Sequence, residues 1–523
     1  MQEFHYGQDQ LTWSMALAIA DGRRSGTLTE ATRIKIHQNA MTVEEIAQSD
    51  QVVYGVNTGF GPLCTTRINA RDTRTLQENI LKSHAVGVGD AIQPRLSKLM
   101  LVLKIHALAQ GYSGVKVATV ERLIWHLDQH LIPVVPQQGS VGASGDLAPL
   151  AHLFLPLIGH GEIWKDGKQM PADLALKESK CRPLVLGPKE GLALINGTQF
   201  MTAHGIVALE ELRSVMDHAD LIGALMIEGL NGSIKPFREE LHQLRPFKGT
   251  QYTAATIFNL LNGSAIQSAH QQCAKVQDPY SMRCIPQVHG ATRNAWLHVK
   301  DLLETEMNSV TDNPVIISRE LTISGGSFHG QPIAIPMDYL AIAASELGNI
   351  SDRRVYLSLG GETEQVPKLL MKETGLNSGF MILQYTTAAL ASENKSLCFP
   401  ASADSIPTSL GQEDHVSMGS ISGRKLRAII SNVRKILAIE MICAAQAKDF
   451  HRPRRSTPII EAIHSEFRKH VPHLEEDQPM GQVLHAAQQI IENGDLLKVA
   501  VKTARAAKLP YFGKHNELFR TED

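Results

Sequence analysis

The sequence predicts a mainly α-helical protein, a bundle of long helices joined to a loop-rich, α-dominated N-terminal domain. Two observations support this fold class. From about residue 200 onward, apolar residues recur every three or four positions over long stretches with few turn residues. Before that point, glycine and proline cluster at 54–62 and again at 133–149, so that loops interrupt the helices. We therefore expect an N-terminal domain over 1–200 and a helical-bundle domain over 201–523.

The individual elements agree with this division. In the N-terminal part, Asp166-Gly167 joins two short segments and predicts a small β-hairpin. The C-terminal part has the spacing of long helices at 206–226, 338–359 and 426–441. A loop is expected at 360–366, after the second of these helices. Long helices with few turns between them favour a bundle.

The charge balance predicts little attraction to nucleic acid or to a membrane surface. Lysine and arginine total 51 against 53 aspartate and glutamate, a formal net charge of −2. Arg452, Arg454 and Arg455 form a short basic cluster without interleaved aromatic residues, which we interpret as a loop at a subunit contact. The most apolar run, 147–159, is too short to cross a bilayer. A small-molecule substrate is therefore expected, with no nucleic-acid or membrane partner.

The N-terminus and the cysteines indicate a cytoplasmic protein. Residues 1–7 contain neither a basic region nor an apolar core, so no secretory signal is predicted. The cysteines lie far apart and form no CxxC pair; they are Cys64, Cys181, Cys273, Cys284, Cys398 and Cys443. Cysteines in this pattern are expected to be free thiols in a reducing compartment.

One pair of histidines has the spacing of a zinc site. His126 and His130 are four residues apart on a predicted helix, but the glutamate of an HExxH motif is missing. A solvated or packed histidine pair explains this spacing better, so no metal site is predicted.

The most specific segment is Gly139-Ser140-Val141-Gly142-Ala143-Ser144-Gly145-Asp146-Leu147. Taken alone, this small-residue loop is compatible with a tight connection or an anion-binding nest. No Gly-Lys-Ser/Thr follows it, so it does not match a phosphate-binding loop.

This segment resembles the aromatic amino acid ammonia-lyase and aminomutase family. In that family an Ala-Ser-Gly tripeptide cyclises and loses water to form an electrophilic methylidene-imidazolone. The resemblance implies that Ala143, Ser144 and Gly145 form this group here, with no external cofactor. It also implies a homotetramer whose active sites are shared between chains. The apolar faces of 206–226 and 426–441 are consistent with burial between those chains, but a helix of this kind can equally bury its apolar face within its own subunit.

Further segments carry the same resemblance and imply the other site residues. Tyr54-Gly55-Val56-Asn57-Thr58-Gly59-Phe60-Gly61 is similar to the family's tyrosine-bearing lid, which would exclude water. Arg283 would bind the substrate carboxylate bidentately. The segments 194–198, 277–284, 311–314 and 327–330 match the family pattern and imply roles for Asn196, Gln277, Tyr280, Arg283, Asn313 and Phe328.

Two positions bear on the substrate. His84 resembles the residue found in family members acting on histidine or tyrosine, so it disfavours phenylalanine. Glu413 lies in Gln412-Glu413-Asp414-His415, which resembles the members acting on histidine, whereas the others have Asn-Gln-Asp. A carboxylate suits an imidazole N–H. The expected reaction is removal of ammonia from L-histidine to give urocanate; a tyrosine lyase or an aminomutase is the alternative.

The mechanism leaves two questions open at this point. Either the substrate amine or its ring could attack the methylidene group. The base that removes the β-proton is expected to be Tyr54 or, as a second choice, Tyr280. Because tyrosine titrates near ~10, a neighbouring positive charge or hydrogen bonds would have to lower its pKa. The alternative to an enzyme is a relative that keeps the fold but has lost catalysis and serves as a binding or structural protein. Intact Ala143-Ser144-Gly145, Tyr54, Tyr280 and Arg283 favour the enzyme, because such a relative would have no need of them.

The chain also departs from the family pattern. Ser327 stands where asparagine is expected, Gln331 where glutamate is common, and Leu383 where proline is usual. The segment 360–370 lacks a Leu-Pro-Pro-Phe-like stretch. None of these departures falls within the tripeptide.

Overall fold

The computed structural model describes residues 3–69, 72–269, 276–361 and 365–520. The α-helices are α1 (Trp13–Ala20), α2 (Glu30–Gln48), α3 (Thr73–His84), α4 (Pro94–Ala109), α5 (Val117–Asp128), α6 (Leu147–Phe154), α7 (Ala172–Glu178), α8 (Glu190–Ile195), α9 (Gln199–Gly229), α10 (Glu239–Gln243), α11 (Lys248–Leu261), α12 (Ala265–Ala269), α13 (Tyr280–Arg283), α14 (Ile285–Met307), α15 (Gln331–Ser358), α16 (Met381–Leu397), α17 (Gly419–Asp449), α18 (Pro458–Arg468), α19 (Met480–Glu492), α20 (Asp495–Ala507) and α21 (Asn516–Phe519).

The strands are short and pair locally. They are β1 (Phe4–His5), β2 (Gly26–Thr27), β3 (Val88–Ala91), β4 (Ile132–Pro133), β5 (Pro136–Gln138), β6 (Glu162–Lys165), β7 (Lys168–Pro171), β8 (Val315–Ile316) and β9 (Thr322–Ile323). β1 pairs with β2 in parallel, and β3–β5, β4–β6–β7 and β8–β9 are antiparallel. The predicted hairpin is confirmed as β6–β7, where Asp166 and Gly167 both have positive φ, as a two-residue turn requires.

The mainly α-helical fold class is confirmed, and the three predicted long helices are present. They are α9, α15 and α17, which pack against one another and, together with α14, form the centre of the bundle. Apolar side chains fill the spaces between them. A buried ion pair also joins two of these helices. Arg354 of α15 contacts Glu440 of α17 through Nε–Oε1 (2.5 Å) and Nη2–Oε2 (2.9 Å).

Of the two possible locations for the apolar faces of 206–226 and 426–441, the structure shows burial within one chain. The predicted core positions of α9, from Ile206 to Met226, are buried within this one chain, as are those of α17 from Leu426 to Met441. The reason is that the three central helices cover one another's apolar faces. An apolar stripe in a sequence requires a partner surface but does not identify it.

One hydrophobic core runs through both predicted domains and includes residues from Phe4 to Phe519. Helix α9 begins at Gln199, beside the predicted boundary, and the division into 1–200 and 201–523 stays a prediction. No helix within the described residues is long and apolar enough to span a membrane.

Candidate active site

The tripeptide lies in the loop between β5 and α6, and its backbone is tightly turned. Gly142, Ser144 and Gly145 have positive φ values of 92°, 48° and 86°. The Gly145 amide donates to the Gly142 carbonyl oxygen at 3.2 Å, which turns the loop back on itself. A positive φ is costly for a residue with a side chain, so Ser144 occupies a strained conformation of the kind found at functional sites.

Two glycines of this loop are required by close neighbours. A Cβ atom on Gly145 would lie 2.1 Å from the carbonyl oxygen of Gly197, and one on Gly142 would lie 2.3 Å from Oγ of Ser417. The loop therefore lies between the turn preceding α9 and the residues preceding α17. The Gly197 amide donates to the Ser144 carbonyl oxygen at 3.0 Å, and the Asp146 amide donates to the Gly197 carbonyl oxygen at 2.8 Å.

Asp146 connects the tripeptide to the start of α9, a role that our sequence reasoning did not assign. Its buried carboxylate accepts from the backbone amides of Phe200 and Met201, both at 3.0 Å, at the N-terminus of that helix. Ser140 donates to its other oxygen at 3.3 Å. Burial raises the pKa of Asp146 to about 7, against the lowering effect of these bonds. Asp146 directly precedes α6 in the sequence, but its side chain makes no cap bond to that helix, so the sequence carried no signal for its contact with α9.

A cavity of about 510 Å³ opens beside the tripeptide. Four of the predicted site residues line it together, namely Tyr54, His84, Ser144 and Glu413. Apolar side chains form much of the remaining wall; they include Phe60, Leu76, Ile80, Leu147 and Leu192. An apolar cavity with a few polar groups directed into it is the usual form of a small-molecule site.

Glu413 brings an unsatisfied acceptor to this cavity. Its Oε2 atom is buried and has no hydrogen-bond partner among the described residues. The main chain of Glu413 is fixed, because its carbonyl oxygen accepts from the Thr408 amide at 2.9 Å. A Cβ atom on Gly61 would lie 3.6 Å from Oε1, so the lid loop lies against this carboxylate. Leaving a carboxylate oxygen buried without a donor is costly, so the site favours a ligand that carries one.

The pKa of Tyr54 is shifted in the direction opposite to the one that a base requires. Its hydroxyl oxygen accepts from the Gly61 amide at 3.1 Å. Burial raises the pKa of Tyr54, the Gly61 hydrogen bond lowers it, and the negative charge of Glu413 raises it further. The lowering of the tyrosine pKa that a base requires is therefore not found in this chain, because burial and the Glu413 carboxylate both disfavour the phenolate.

The lid glycine Gly55 is required by packing. It has φ of 69°, and a Cβ atom there would lie 2.1 Å from Cδ2 of Leu192. His84 also lines the cavity. Burial lowers the pKa of His84, and its Nδ1 lies 2.9 Å from Oγ of Ser83. A neutral imidazole can both donate and accept a hydrogen bond.

Asn196 and Asn313 belong to a buried polar network below the tripeptide loop. The Asn196 amide donates to the Asn313 carbonyl oxygen at 2.8 Å and to Oδ1 of Asp312 at 3.3 Å. Nζ of Lys189 contacts Oδ2 of Asp312 at 2.5 Å, and Nζ of Lys104 donates to the Asn196 carbonyl oxygen. Sequence reasoning assigned no role to these two lysines or to Asp312. Nothing local distinguishes such lysines from exposed ones.

The segment with Gln277, Tyr280 and Arg283 does not reach this cavity within the chain. Tyr280 is 72% exposed, and the Arg283 guanidinium stacks on its ring at 4.5 Å. Nε of Arg283 donates to the Asp278 carbonyl oxygen at 2.9 Å. With its amide oxygen turned toward this guanidinium, Gln277 accepts from both terminal nitrogens at 3.1 and 3.2 Å. Phe328 is half-buried and does not line the cavity either.

The departures from the family pattern lie away from the cavity walls. Gln331 begins α15 and donates to the Ser402 carbonyl oxygen at 3.0 Å. Leu383 packs into the core from α16, and Ser327 is exposed. Within 360–370, residues 362–364 lie outside the described residues.

The histidine pair is not a helical pair. His126 is buried in α5 and lies 2.9 Å from the Leu131 carbonyl oxygen, and burial lowers its pKa to about 4. His130 lies beyond the end of α5, so the expected i, i+4 arrangement on one helix is wrong. Across the described ranges, no group of three or more histidine, cysteine, aspartate or glutamate side chains has an arrangement suited to a metal ion.

The chain is similar to known lyases over nearly its whole length. The family model for aromatic amino acid lyases matches residues 11–469. A histidine ammonia-lyase of Myxococcus xanthus is 44% identical over 499 residues, which cover 95% of this chain and 98% of that protein. A crystal structure of a Trypanosoma cruzi histidine ammonia-lyase has a TM-score of 0.88 at 36% identity and covers 99% of this chain and 97% of its own.

A second structural relative has a different activity in its name. The tyrosine aminomutase of Streptomyces globisporus has a TM-score of 0.90 at 33% identity, with 96% of this chain and 99% of that chain covered. The matched family model and the extent of these similarities agree with the tripeptide loop and its cavity. The chain belongs to the aromatic amino acid lyase family and is a carbon–nitrogen lyase.

Proposed function

We propose that this chain removes ammonia from L-histidine to give urocanate. The observation that carries the proposal is the buried Oε2 atom of Glu413, an acceptor without a donor in the wall of the cavity. An imidazole N–H would satisfy it, whereas a phenyl ring has no donor to offer. The name of the Myxococcus xanthus relative supports the same substrate.

We further propose that Ala143, Ser144 and Gly145 form a methylidene-imidazolone, with no external cofactor. The loop fits this group, because the turn at Gly142 brings the Gly145 amide back over it and no Cβ atom could be accommodated at Gly142 or Gly145. Once formed, the group would supply an electrophilic carbon. Attack by the substrate amine would make that amine a better leaving group, whereas attack by the substrate ring would instead make the β-proton more acidic. The presence of glycine at 142 and 145 therefore supports the proposal that this loop forms the methylidene-imidazolone.

Tyr54 is the proposed base, with Tyr280 as the second candidate. In the free chain, burial and the charge of Glu413 raise the pKa of Tyr54. A substrate imidazole bonded to Glu413 would offset that charge, most strongly if the ring is protonated. Substrate binding would then lower the pKa of Tyr54 toward the range of a useful base. His84, which lines the same cavity, would also contact the substrate ring.

Asn196 and Asn313 would lie near the prosthetic group within their own chain. The other site residues are proposed to join them only in a homotetramer, where Arg283 would bind the substrate carboxylate with Gln277 and Tyr280 beside it, and Phe328 would lie near the prosthetic group. The exposure of Tyr280 supports their entry into the site of another copy of the chain. Helix α15 also carries exposed apolar side chains at positions separated by three or four residues, namely Ile335, Tyr339 and Ile342.

A cytoplasmic location is also proposed. Among the described residues Cys64, Cys181, Cys284, Cys398 and Cys443 are free thiols, which suits a reducing compartment; Cys273 lies outside the described residues.

Two measurements test the function. Urocanate absorbance should appear when the purified protein is mixed with histidine, and a parallel assay with tyrosine should give little product. The intact mass should be lower than the sequence mass by about two water molecules if the tripeptide has cyclised and dehydrated. An unchanged mass would exclude the prosthetic group, and turnover of tyrosine alone, by elimination or by amine transfer, would assign the alternative substrate.

Subunit mixing tests the shared site. Tyr280→Phe and Glu413→Gln chains are unfolded and refolded together, and the activity of the mixture is compared with the mean activity of the two variants refolded separately. If one site takes these residues from different chains, some mixed sites receive both intact side chains and activity returns. No recovery, with tetramers confirmed by light scattering, would place both residues in the same chain's site.

A further inference from the structure

Lys104 is a buried cation that the proposed reaction has not used. It lies in α4, is 1% exposed, and donates from Nζ to the carbonyl oxygen of Asn196. Asp312 attracts it, but both carboxylate oxygens of Asp312 are already bonded: Oδ2 to Lys189, and Oδ1 to the Asn196 side chain and the Asn313 amide. Two buried lysines thus share one carboxylate. A buried charge with this little compensation is expensive, which suggests a functional reason for keeping it.

The bond from Lys104 ends on a peptide unit that faces the tripeptide. The Asn196 carbonyl oxygen and the Gly197 amide belong to the same peptide group. While Lys104 contacts the oxygen, the Gly197 N–H donates to the Ser144 carbonyl oxygen at 3.0 Å. A cation at the carbonyl end of a peptide polarises the whole group and makes its N–H a stronger donor. Lys104 is therefore linked to Ser144 through a single peptide.

We propose that Lys104 is a positioning residue that activates the prosthetic group, by strengthening the hydrogen bond from the Gly197 amide to the Ser144 carbonyl oxygen. The inference rests on the proposed function, because it requires the methylidene-imidazolone to form from 143–145. In that ring the Ser144 carbonyl is conjugated with the methylene carbon derived from the Ser144 side chain.

The electron balance explains why this oxygen matters. When a nucleophile forms a bond to the methylene carbon, the electron pair of the C=C bond moves into the ring and toward the Ser144 carbonyl oxygen. No oxidant or reductant is needed. The Gly197 N–H already points at this oxygen, so a donor strengthened by Lys104 stabilises the charge without reorganisation. The buried location prevents water from weakening the effect.

The protonation of Lys104 makes the effect depend on pH. Burial lowers the pKa of Lys104 to about 7; Asp312 opposes this shift and Lys189 adds to it. The ammonium form is present below that pH and is lost as the pH rises through it. Asp312 stays ionised, because Lys189 and Lys104 hold its pKa below the usual value despite its burial. The activating charge should therefore weaken as the pH rises through about 7.

The experiment compares Lys104→Met and Lys104→Arg with a matched control, Lys98→Met, in the full-length protein. Lys98 lies on the same helix, α4, and outside the network. The intact mass first reports whether each variant has lost two water molecules. The near-ultraviolet absorption, taken as a difference from Ser144→Ala, then reports the conjugated carbonyl. The rate of reaction with cyanide reports the electrophile without any amino acid substrate.

With the group formed, Lys104→Met should shift the absorption to shorter wavelength and slow the cyanide reaction about tenfold, less than the effect of removing an oxyanion donor outright. Lys104→Arg should restore most of the rate, and Lys98→Met should match the wild type. A mature Lys104→Met protein with wild-type spectrum and cyanide rate would overturn the proposal.

Two further readouts cover the case in which Lys104→Met does not fold or mature. The ratio of wild-type to Lys104→Arg cyanide rates should fall as the pH rises through about 7, since arginine keeps its charge. The wild-type absorption alone should shift over the same range. If neither the wild-type absorption band nor the ratio of cyanide rates changes over this pH range, the proposed role of Lys104 is refuted. A wild-type mass without the loss of water would instead refute the proposed prosthetic group.

Discussion

Replacing Glu413 by glutamine removes one charge from the cavity and keeps nearly the same shape. If the buried Oε2 atom accepts an imidazole N–H, the wild-type bond is charge-assisted and worth about 1.5–3 kcal/mol, against about 0.5–1.5 kcal/mol for a neutral acceptor. The expected loss is therefore about 1–2 kcal/mol. This corresponds to a decrease of about 5- to 30-fold in kcat/KM for histidine.

The assay is the initial rate of urocanate formation over a range of histidine concentrations. Asp414→Asn is the matched control, because it neutralises the adjacent exposed carboxylate and should leave kcat/KM nearly unchanged. Thermal stability should change little in either variant. Unchanged histidine kinetics in Glu413→Gln would refute the assignment of this carboxylate as the ring acceptor.

The same substitution makes a second, independent prediction about pH. The charge of Glu413 raises the pKa of Tyr54, so its removal should lower that pKa. If Tyr54 must lose its proton to act as the base, the acid limb of the kcat/KM profile should move to lower pH. A limb that stays in place would favour Tyr280 as the base.

Four further outcomes are expected. Ser144→Ala should lower turnover by at least about three orders of magnitude with unchanged secondary structure, because the electrophile cannot form; retained turnover would exclude the prosthetic group. His84→Leu should shift relative kcat/KM toward an apolar ring by about tenfold, and no shift in paired histidine and phenylalanine assays would indicate a structural role. Gly145→Ala should block the loss of water seen by mass spectrometry and lower the melting temperature, since its Cβ would lie 2.1 Å from a backbone oxygen at φ of 86°; a mature, stable variant would contradict this. Glu440→Gln should cost about 3–5 kcal/mol in denaturant unfolding by leaving Arg354 buried without its charge partner, and a loss below 1 kcal/mol or so would show that the pair is not stabilising.

Features encoded over a few residues could be predicted from the sequence. The apolar spacing of 206–226, 338–359 and 426–441 identified the three central helices, because residues three or four positions apart lie on the same face of an α-helix. Asp166-Gly167 identified the β6–β7 hairpin for a similar reason, since both residues tolerate positive φ.

The tripeptide loop was also local enough to identify, because its small residues are needed wherever the backbone must turn so tightly. The surfaces that cover an apolar face were not. The sequence left open whether the faces of α9 and α17 are buried between chains or within one chain, since a periodic stripe carries no information about its partner. The structure shows that they are buried within one chain.

Only the tertiary structure decided which distant polar groups meet, and therefore their charge states. It buries Tyr54 and places Glu413 in the same cavity, and both effects raise the pKa of the phenol, whereas a role as base requires that pKa to be lowered. It brings Asp146 to the N-terminus of α9, and Lys104 to the peptide that faces Ser144. No spacing in the sequence predicts these contacts. Electrostatic and desolvation effects depend on the distances and burial created by packing, whereas helix faces and turns are determined by neighbours along the chain.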